Sequence, residues 1–205
     1  MGERAIRVPR QERAQRTREA LLEAAREELS AKGHAGATAK SIAAAAGCSV
    51  GSFYQYFGDK DAVLRELALG RFQGIAGQVV GLLSPAAVRD ADDTDAEARR
   101  RFGLAIDAVI AHHRSDPGFH AVVTERRAHD AELDRVMSAG ERTLIERIAE
   151  LLRHWGQATD PEATAFVLFH MVEGAIHAHC LGHAHVPDGR FTAALVGSLA
   201  LVARG

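Results

Sequence analysis

The residues best suited to chemistry lie in the stretch FHMVEGAIHAHCLGHAH, which begins at Phe169 and contains five histidines. His170, Glu173 and His177 would share one face of a helix, where imidazole and carboxylate groups could bind zinc or another transition metal. His170 and His177 are two turns apart, about 10 Å along the axis, so one ion would reach both only with awkward geometry. Glu173 with either histidine is feasible, and a complete site would need partners from other helices, such as His112, His113 or His120.

Two other interpretations of these histidines stay open. They could be hydrogen-bonded polar groups in a helix core or an interface, or they could line an effector cavity, where apolar walls surround a few polar groups. The candidate ligand-binding residues are His113, Phe119, Trp155, Phe169, His170 and Glu173. We predict neither a bound metal nor a cofactor. The sequence has no nucleophile, histidine and acid at catalytic spacing, no Gly-rich phosphate loop and no metalloprotease motif, so we do not expect an enzyme.

Charge divides the chain unevenly, although the formal net charge is only -2. Residues 1–60 contain 10 Lys and Arg against 7 Asp and Glu, whereas residues 61–205 contain 15 against 20. The N-terminal arginines are Arg4, Arg7, Arg10, Arg13, Arg16 and Arg18. Such a segment suits an approach to phosphates, and a solvated tail would show the same pattern.

Aromatic residues cluster in the segment ATAKSIAAAAGCSVGSFYQYFGDKDAVL, residues 37–64, although they make up only 5% of the chain. Phe53 and Phe57 are one helical turn apart and can share a small core with the preceding apolar run. The residues of that run are Ile42, Ala43 and Ala46. We therefore expect these two rings to fix one short helix on another.

The opposite face of the same helix carries polar groups. Ser52, Gln55 and Tyr56 can reach phosphates or base edges there. Tyr54 lies between the two faces, so its ring can pack while its hydroxyl reaches a phosphate. Gly51 costs roughly 1 kcal/mol of helix propensity and leaves a gap through which backbone could approach DNA. This face is a candidate nucleic-acid surface.

Helical periodicity, interrupted by glycine and proline, runs through the whole chain, and no alternating β-branched run predicts a strand. We predict an all-α fold with helices over about 11–32, 39–46, 50–57, 60–83, 96–114, 119–128, 131–155, 161–181 and 189–203. The polar stretch 84–98 is expected to link two of them, and the sequence SDPGF separates the next two.

Capping residues support the short helices. Thr38, Ser49 and Asp59 stand at the predicted N-caps of the second, third and fourth helices. Gly33 and Gly47 stand where the first and second should end. Two helices of about eight residues joined by AGCS form a helix-turn-helix, whose second helix enters the major groove of DNA.

These residues carry a family resemblance. The segment GHAGATAKSIAAAAGCSVGSFYQYFGDKDAVL resembles the DNA-binding domain of the tetracycline-repressor-like (TetR) family of transcriptional regulators, over about the first third of the chain. The matching residues are Gly33, Thr38, Ile42, Ala43, Ala46, Gly47, Ser49, Gly51, Ser52, Phe53, Tyr54, Tyr56, Phe57 and Lys60.

The resemblance implies a role for individual residues. Thr38 would contact phosphate, Val50 and its two neighbours would face bases, and Lys60 would contact the DNA backbone with both tyrosines. Helical angle alone instead groups Val50 with Phe57 on the core side. The candidate DNA-binding residues are Arg16, Arg18, Thr38, Lys40, Ser49, Val50, Gly51, Ser52, Tyr54, Gln55, Tyr56 and Lys60.

For the rest of the chain the resemblance implies a helical bundle that binds a small-molecule effector and dimerises. We expect residues 1–60 to form the DNA-binding domain and residues 61–205 the second domain. Apolar residues surround the last two predicted helices, and a surface helix of a monomer should be apolar along one stripe only. The candidate dimer-interface residues are Gly174, Ala178, Leu181, Leu195, Leu199 and Val202.

The predicted protein is a ligand-responsive transcriptional regulator, a homodimeric repressor of a palindromic operator in double-stranded DNA. No run approaches the roughly 20 apolar residues that cross a bilayer, so we expect a cytoplasmic protein that does not bind a membrane. Its reduced thiols, Cys48 and Cys180, would suit that compartment. The alternatives are a metal or redox sensor that uses the histidines or Cys48, and an α-helical metal-dependent enzyme.

Overall fold

The structure is a computed structural model that describes residues 10–84, 94–156, 158–182 and 186–202. All secondary-structure elements in these ranges are α-helices, which confirms the all-α prediction. The helices are α1 (Arg10–Gly36), α2 (Ala39–Ala45), α3 (Val50–Tyr56), α4 (Lys60–Leu83), α5 (Thr94–Ser115), α6 (Pro117–Arg127), α7 (Ala131–Trp155), α8 (Pro161–Leu181) and α9 (Asp188–Val202). Arg4, Arg7, most of the predicted polar link and Ala203 lie outside the described residues.

The described chain divides into two compact units. The first takes the described residues up to Ala68 together with Gly118–Leu133, and the second takes Leu69–Pro117 and the described residues from Asp134 onward. Helix α4 is continuous from one unit into the other. The boundary that we predict at residue 60 stays a prediction.

Side chains at the helix starts organise the first unit. Thr38 and Ser41 form a reciprocal capping box: the Ser41 backbone N–H donates to Thr38 Oγ1 at 3.0 Å, and the Thr38 N–H donates to Ser41 Oγ at 3.1 Å. Ser49 Oγ accepts the Ser52 N–H at 3.0 Å, and Asp59 Oδ1 accepts the backbone N–H three residues on at 2.7 Å. The three predicted caps are confirmed, and each satisfies a donor that a helix start leaves without an intrahelical acceptor.

Glycines turn the backbone left-handed near the ends of the first two helices. Gly33 has φ 68 and Gly47 has φ 67. A side chain at either position would strain the backbone, whereas glycine adopts this conformation readily. Beyond the kink at Gly33, helical structure continues to Gly36, further than the predicted end at residue 32.

The core of the first unit joins α1, α2 and α3. Its fully buried residues include Leu21, Ala25, Ile42, Ala43 and Phe53. Ile42, Ala43 and Phe53 are among the residues that the sequence analysis expects in this core. The burial of this core holds α3 against α2 and α1.

The second unit has its own core, built mainly from α5, α8 and α9. Buried residues of this core include Ile106, Leu152, Ala165, Ile176 and Leu199. The start of α9 is tied to the other two helices by its first residue, Asp188. Its carboxylate accepts from Arg114 on α5 at 2.5 and 2.9 Å and bonds His179 Nε2 on α8 at 2.9 Å.

One helix of the described chain, α8, is long and apolar enough to cross a membrane by length and composition alone. The sequence analysis did not expect any such run. Core helices of soluble proteins meet the same criterion, and α8 carries Glu173 together with buried His179 and packs in the core of the second unit. The finding is therefore weak evidence for a membrane span.

Candidate functional site

Helix α3 is fixed by one face and exposes the other. Phe53 is fully buried and Phe57 nearly so, with ring centroids 5.7 Å apart. Val50 is 36% exposed and Tyr54 57% exposed. The exposed residues of α3 are Val50, Gly51, Tyr54 and Gln55. Val50 thus lies on the outward face that the resemblance implies, and not on the core side that its helical angle indicates.

The hydroxyl groups around α3 hold its first turn. Ser49 Oγ accepts from the Ser52 backbone and lies 2.9 Å from Ser52 Oγ. Ser52 is half-buried, and Tyr56 packs partly against the core. The side chains of Ser49, Ser52 and Tyr56 therefore hold α3 in place, and they also border its exposed residues.

Two exposed basic residues remain suited to phosphate contact. Lys40 is exposed on α2. Arg16 is exposed on α1, where its guanidinium pairs with Glu12 at 2.5 Å. Such an exposed pair contributes at most about 1 kcal/mol, so a phosphate could replace Glu12 at little cost.

Arg18 has a structural partner within the first unit. Its Nη2 donates to both carboxylate oxygens of Glu66 at 2.6 Å, and its guanidinium lies over the Phe57 ring, 5.3 Å from the centroid. Charge-assisted bonds of this kind fix geometry. Arg18 thus braces α1 against α4, a role that the sequence alone did not indicate.

Lys60 is also engaged inside the first unit. Its Nζ donates to the backbone carbonyl of His34 at 2.5 Å and to that of Ala37 at 3.0 Å. Both carbonyls lie in the turn between the Gly33 kink and α2. The resemblance assigns the Lys60 ammonium to a contact with the DNA backbone. In this structure the same ammonium stabilises the turn.

The second unit contains an apolar cavity of about 80 Å³. Phe169 and Glu173, two of the candidate ligand-binding residues, line this cavity. Glu173 is the acidic residue in an otherwise apolar lining. Lining residues that the sequence analysis missed include Val79, Leu83, Phe102, Ile106, Val109 and Leu168. Their apolar periodicity was visible in the sequence, but which helix faces converge was not.

The other candidates for ligand binding lie elsewhere. Trp155 packs against the core of the second unit, with its ring 6.3 Å from that of Phe102. His170 is exposed, and its ring lies 4.3 Å from that of Phe166 on the outer side of α8. Phe119 is buried in the first unit. None of the three lines this cavity.

His113 is buried beside the same part of α8. It is 2% exposed, and its Nδ1 lies 2.9 Å from the Val109 carbonyl. Its Nε2 lies 3.9 Å from Glu173 Oε2, and its ring centroid lies 6.4 Å from that of His177. Burial lowers the pKa of His113 below its ordinary value. The imidazole is therefore neutral near pH 7.

The candidate dimer-interface residues separate by burial. Gly174 and Ala178 are exposed on α8, and Leu181 and Val202 are half-buried. Leu195 and Leu199, by contrast, are 7% and 3% exposed within the chain's own core. Residues buried in this way offer no surface to a partner, so they belong to the core and not to an interface.

Comparison with known proteins bears on both parts of the chain. Residues 21–67 match the family described as bacterial regulatory proteins, tetR family, and residues 99–203 match the tetracyclin repressor-like C-terminal domain. Among curated proteins, none matches the chain in sequence.

Solved structures share the fold at low identity. A protein from Mesorhizobium loti described as a TetR-family regulator has a TM-score of 0.76 at 16% identity, covering 93% of this chain and 96% of its own. A regulator from Streptomyces coelicolor has a TM-score of 0.72 at 19% identity, with 93% and 99% covered. The fatty acid degradation regulator of Bacillus halodurans has a TM-score of 0.67 at 19% identity, with 92% and 95% covered.

Proposed function

Since this chain belongs to the tetR family of bacterial regulatory proteins, a family of transcriptional regulators, we propose that it represses a palindromic operator as a homodimer until a small molecule releases it. The observation that carries the proposal is the outward face of α3, which is exposed while Phe53 and Phe57 anchor the helix from behind. A rigid helix that presents side chains to solvent is what base reading in the major groove requires. We propose that the protein is cytoplasmic, because its operator would lie in that compartment. We also propose that it has no enzymatic activity.

On this proposal, α3 reads bases and α2 binds phosphate. Gln55 can make paired hydrogen bonds to an adenine edge, Val50 offers an apolar contact to a thymine methyl, and Gly51 admits close approach. Tyr54 lies edge-on to the Phe53 ring, 5.4 Å away, and is 57% exposed, so its hydroxyl could bind a phosphate. Lys40 adds a charge whose contribution falls as salt rises.

The dimer interface that we propose is the outer face of α8 with the adjoining surface of α9. Phe166 is 55% exposed, Val167 is 44% exposed and Leu201 is 70% exposed, which is unusual for large apolar side chains. Gly174 and Ala178 add small exposed positions along α8, so two copies of the helix could approach closely. A two-fold pairing of this surface would also match a palindromic operator.

The proposed effector site is the apolar cavity of the second unit. Its volume of about 80 Å³ is below the roughly 300 Å³ that small-molecule pockets usually have, so an effector must displace lining side chains. Val79 and Leu83 line the cavity from α4, the helix that begins at Lys60 after the helix-turn-helix. An effector that enlarges the cavity would press on α4, and a shift of α4 would change the spacing of the two α3 helices in a dimer.

Selection of bound sequences from random DNA tests this function. We expect a palindromic site whose half-sites are about one helical turn or a multiple apart. Gln55→Ala should relax preference at one base pair per half-site, whereas Lys40→Met should weaken all sequences alike. Binding without sequence preference would contradict the proposal.

Light scattering tests the dimer. The wild-type protein should have twice the monomer mass of 22.0 kDa at micromolar concentration. Ala178→Arg places a charge on the outer face of α8 and should give monomers that no longer bind the operator. Ala31→Arg, at an exposed position of α1, is the matched control and should leave the mass unchanged. A monomeric wild-type protein would contradict the interface.

A further inference from the structure

We propose that His113, Glu173 and His177 form a binding site for one divalent transition-metal ion. His113 lies on α5, and the other two lie one turn apart on α8. His113 Nε2 is 3.9 Å from Glu173 Oε2, and ring nitrogens of His113 and His177 lie within 4.8 Å of each other. Glu173 and His177 therefore each place a donor atom within 4.8 Å of a ring nitrogen of His113.

The hydrogen bond of His113 sets the tautomer that a metal needs. The Val109 carbonyl can only accept, so His113 Nδ1 carries the proton and donates across the 2.9 Å contact. With the proton on Nδ1, Nε2 is the ring nitrogen that can bind an ion, and it lies on the side of Glu173. Metal-bound histidines commonly donate their other ring N–H to a carbonyl or carboxylate, because this bond fixes the ring and raises its basicity.

An ion requires the donor atoms to move closer together, and the ring nitrogens of His113 and His177 by up to about 1.5 Å. Zinc lies about 2.0–2.1 Å from histidine nitrogen and 2.0–2.2 Å from carboxylate oxygen, so tetrahedral ligand atoms are about 3.3–3.5 Å apart. The His113–Glu173 distance exceeds this by roughly half an ångström. The Glu173 side chain is 40% exposed and can rotate toward His113 without unpacking the core.

The donor set selects the class of ion. Two imidazoles and one carboxylate bind zinc and ferrous iron, whereas calcium and magnesium prefer oxygen ligands throughout. Three protein ligands leave a coordination position open for water or for a donor group of an effector. Because Glu173 also lines the apolar cavity, the ion would lie at the polar end of the proposed effector site.

Cobalt(II) is a suitable probe, because its visible absorption reports coordination by protein ligands. Tag-free protein treated with chelator and then titrated with Co²⁺ should develop a saturable band at one ion per chain, and Zn²⁺ should displace it. Glu173→Gln and His177→Ala should each weaken binding at least tenfold, because loss of a hydrogen-bond partner of a ligand alone typically costs about 10–100-fold. His170→Ala, on the exposed side of the same helix, is the control and should change the affinity less than twofold.

The two test variants replace half-buried residues, so both should fold, and their helix content is checked by circular dichroism. His113→Ala would leave a cavity in the core, so this variant is not used to test the site. The absence of a saturable band in the wild-type protein overturns the site. Wild-type affinity in either test variant, or an equal loss in His170→Ala, also overturns it, because the ion would then lie elsewhere. The site does not rest on the repressor function, which the DNA selection tests separately.

Discussion

Lys60→Met separates a structural role of this residue from a DNA-binding role. The Lys60 ammonium donates to the carbonyls of His34 and Ala37, which lie between the Gly33 kink and α2. Methionine keeps most of the aliphatic stem and removes the charge and the donors. The loss therefore falls on two hydrogen bonds and little on packing.

The expected loss is about 2 kcal/mol. A hydrogen bond to a charged group contributes about 1.5–3 kcal/mol when it is well shielded. Lys60 and His34 are only half-buried, so water can replace part of what the ammonium supplies. We therefore expect about half of the shielded value for the two bonds together, which corresponds to a fall of about 4–8 °C in Tm for a chain of this size.

Urea unfolding followed by circular dichroism measures this loss, and fluorescence anisotropy measures operator binding. Lys40→Met is the matched control, because Lys40 is exposed on α2. It should change stability by less than about 0.5 kcal/mol, weaken binding to all sequences and lower the salt slope by about 1. If Lys60→Met unfolds like the wild-type protein but weakens DNA binding as Lys40→Met does, the ammonium contacts phosphate and the structural assignment is refuted.

Three further outcomes follow from the packing and the charges. Phe53→Ala should lower the free energy of unfolding by about 3–5 kcal/mol, because the ring is fully buried; a loss below 1 kcal/mol in urea unfolding would contradict this. Asp130→Ala should cost about 1–2 kcal/mol in the same assay, because its carboxylate caps α7 at 3.0 Å and accepts from Arg65 at 2.9 Å; equal stability would refute the cap. The Arg114 guanidinium holds the pKa of the Asp188 carboxyl well below its usual range. The ionised carboxylate therefore stabilises the folded protein above about pH 4, and this stabilisation is lost as pH falls further. Melting curves at several pH values should show that Asp188→Asn lowers Tm at pH 7 and loses less Tm than the wild-type protein on acidification; parallel curves would contradict this.

Local chemistry explains why so much of the first unit could be predicted. Thr38, Ser49 and Asp59 act on backbone groups three residues away, so their roles are visible in a short window of sequence. Gly33 and Gly47 likewise turn the chain at their own positions. The inward face of α3 followed from the spacing of its two phenylalanines.

The partners of Lys60 and Arg18 could not be predicted in the same way. Lys60 bonds carbonyls more than 20 residues before it, and Arg18 bonds Glu66, 48 residues after it. Such pairs depend on how α1 and α4 pack, which periodicity does not specify. The same side chains on an open surface would have suited phosphates, as the resemblance implies for Lys60.

The inward face of α8 was harder to predict from the sequence, because apolar residues lie on all sides of this helix. Periodicity identifies an inward face only where a polar face opposes it. His170 and Phe169 are adjacent in sequence, yet one is exposed and the other is 6% exposed at the cavity. The partner of Glu173 in the candidate metal site is accordingly His113 on α5, and not His170 on its own helix.

The two-sided character of α8 connects the proposed sites of the second unit. Its inner side carries Phe169 and Glu173 at the cavity, and its outer side carries Phe166 and Ala178 at the proposed dimer interface. A helix of 21 residues moves largely as one piece, so an ion or effector that shifts the inner side also shifts the outer side. By thermodynamic linkage, dimerisation must then change the affinity of the inner site by the same factor that occupancy changes dimerisation. Cobalt affinity measured in the Ala178→Arg monomer therefore tests the connection: an unchanged value means that the two faces of α8 act independently.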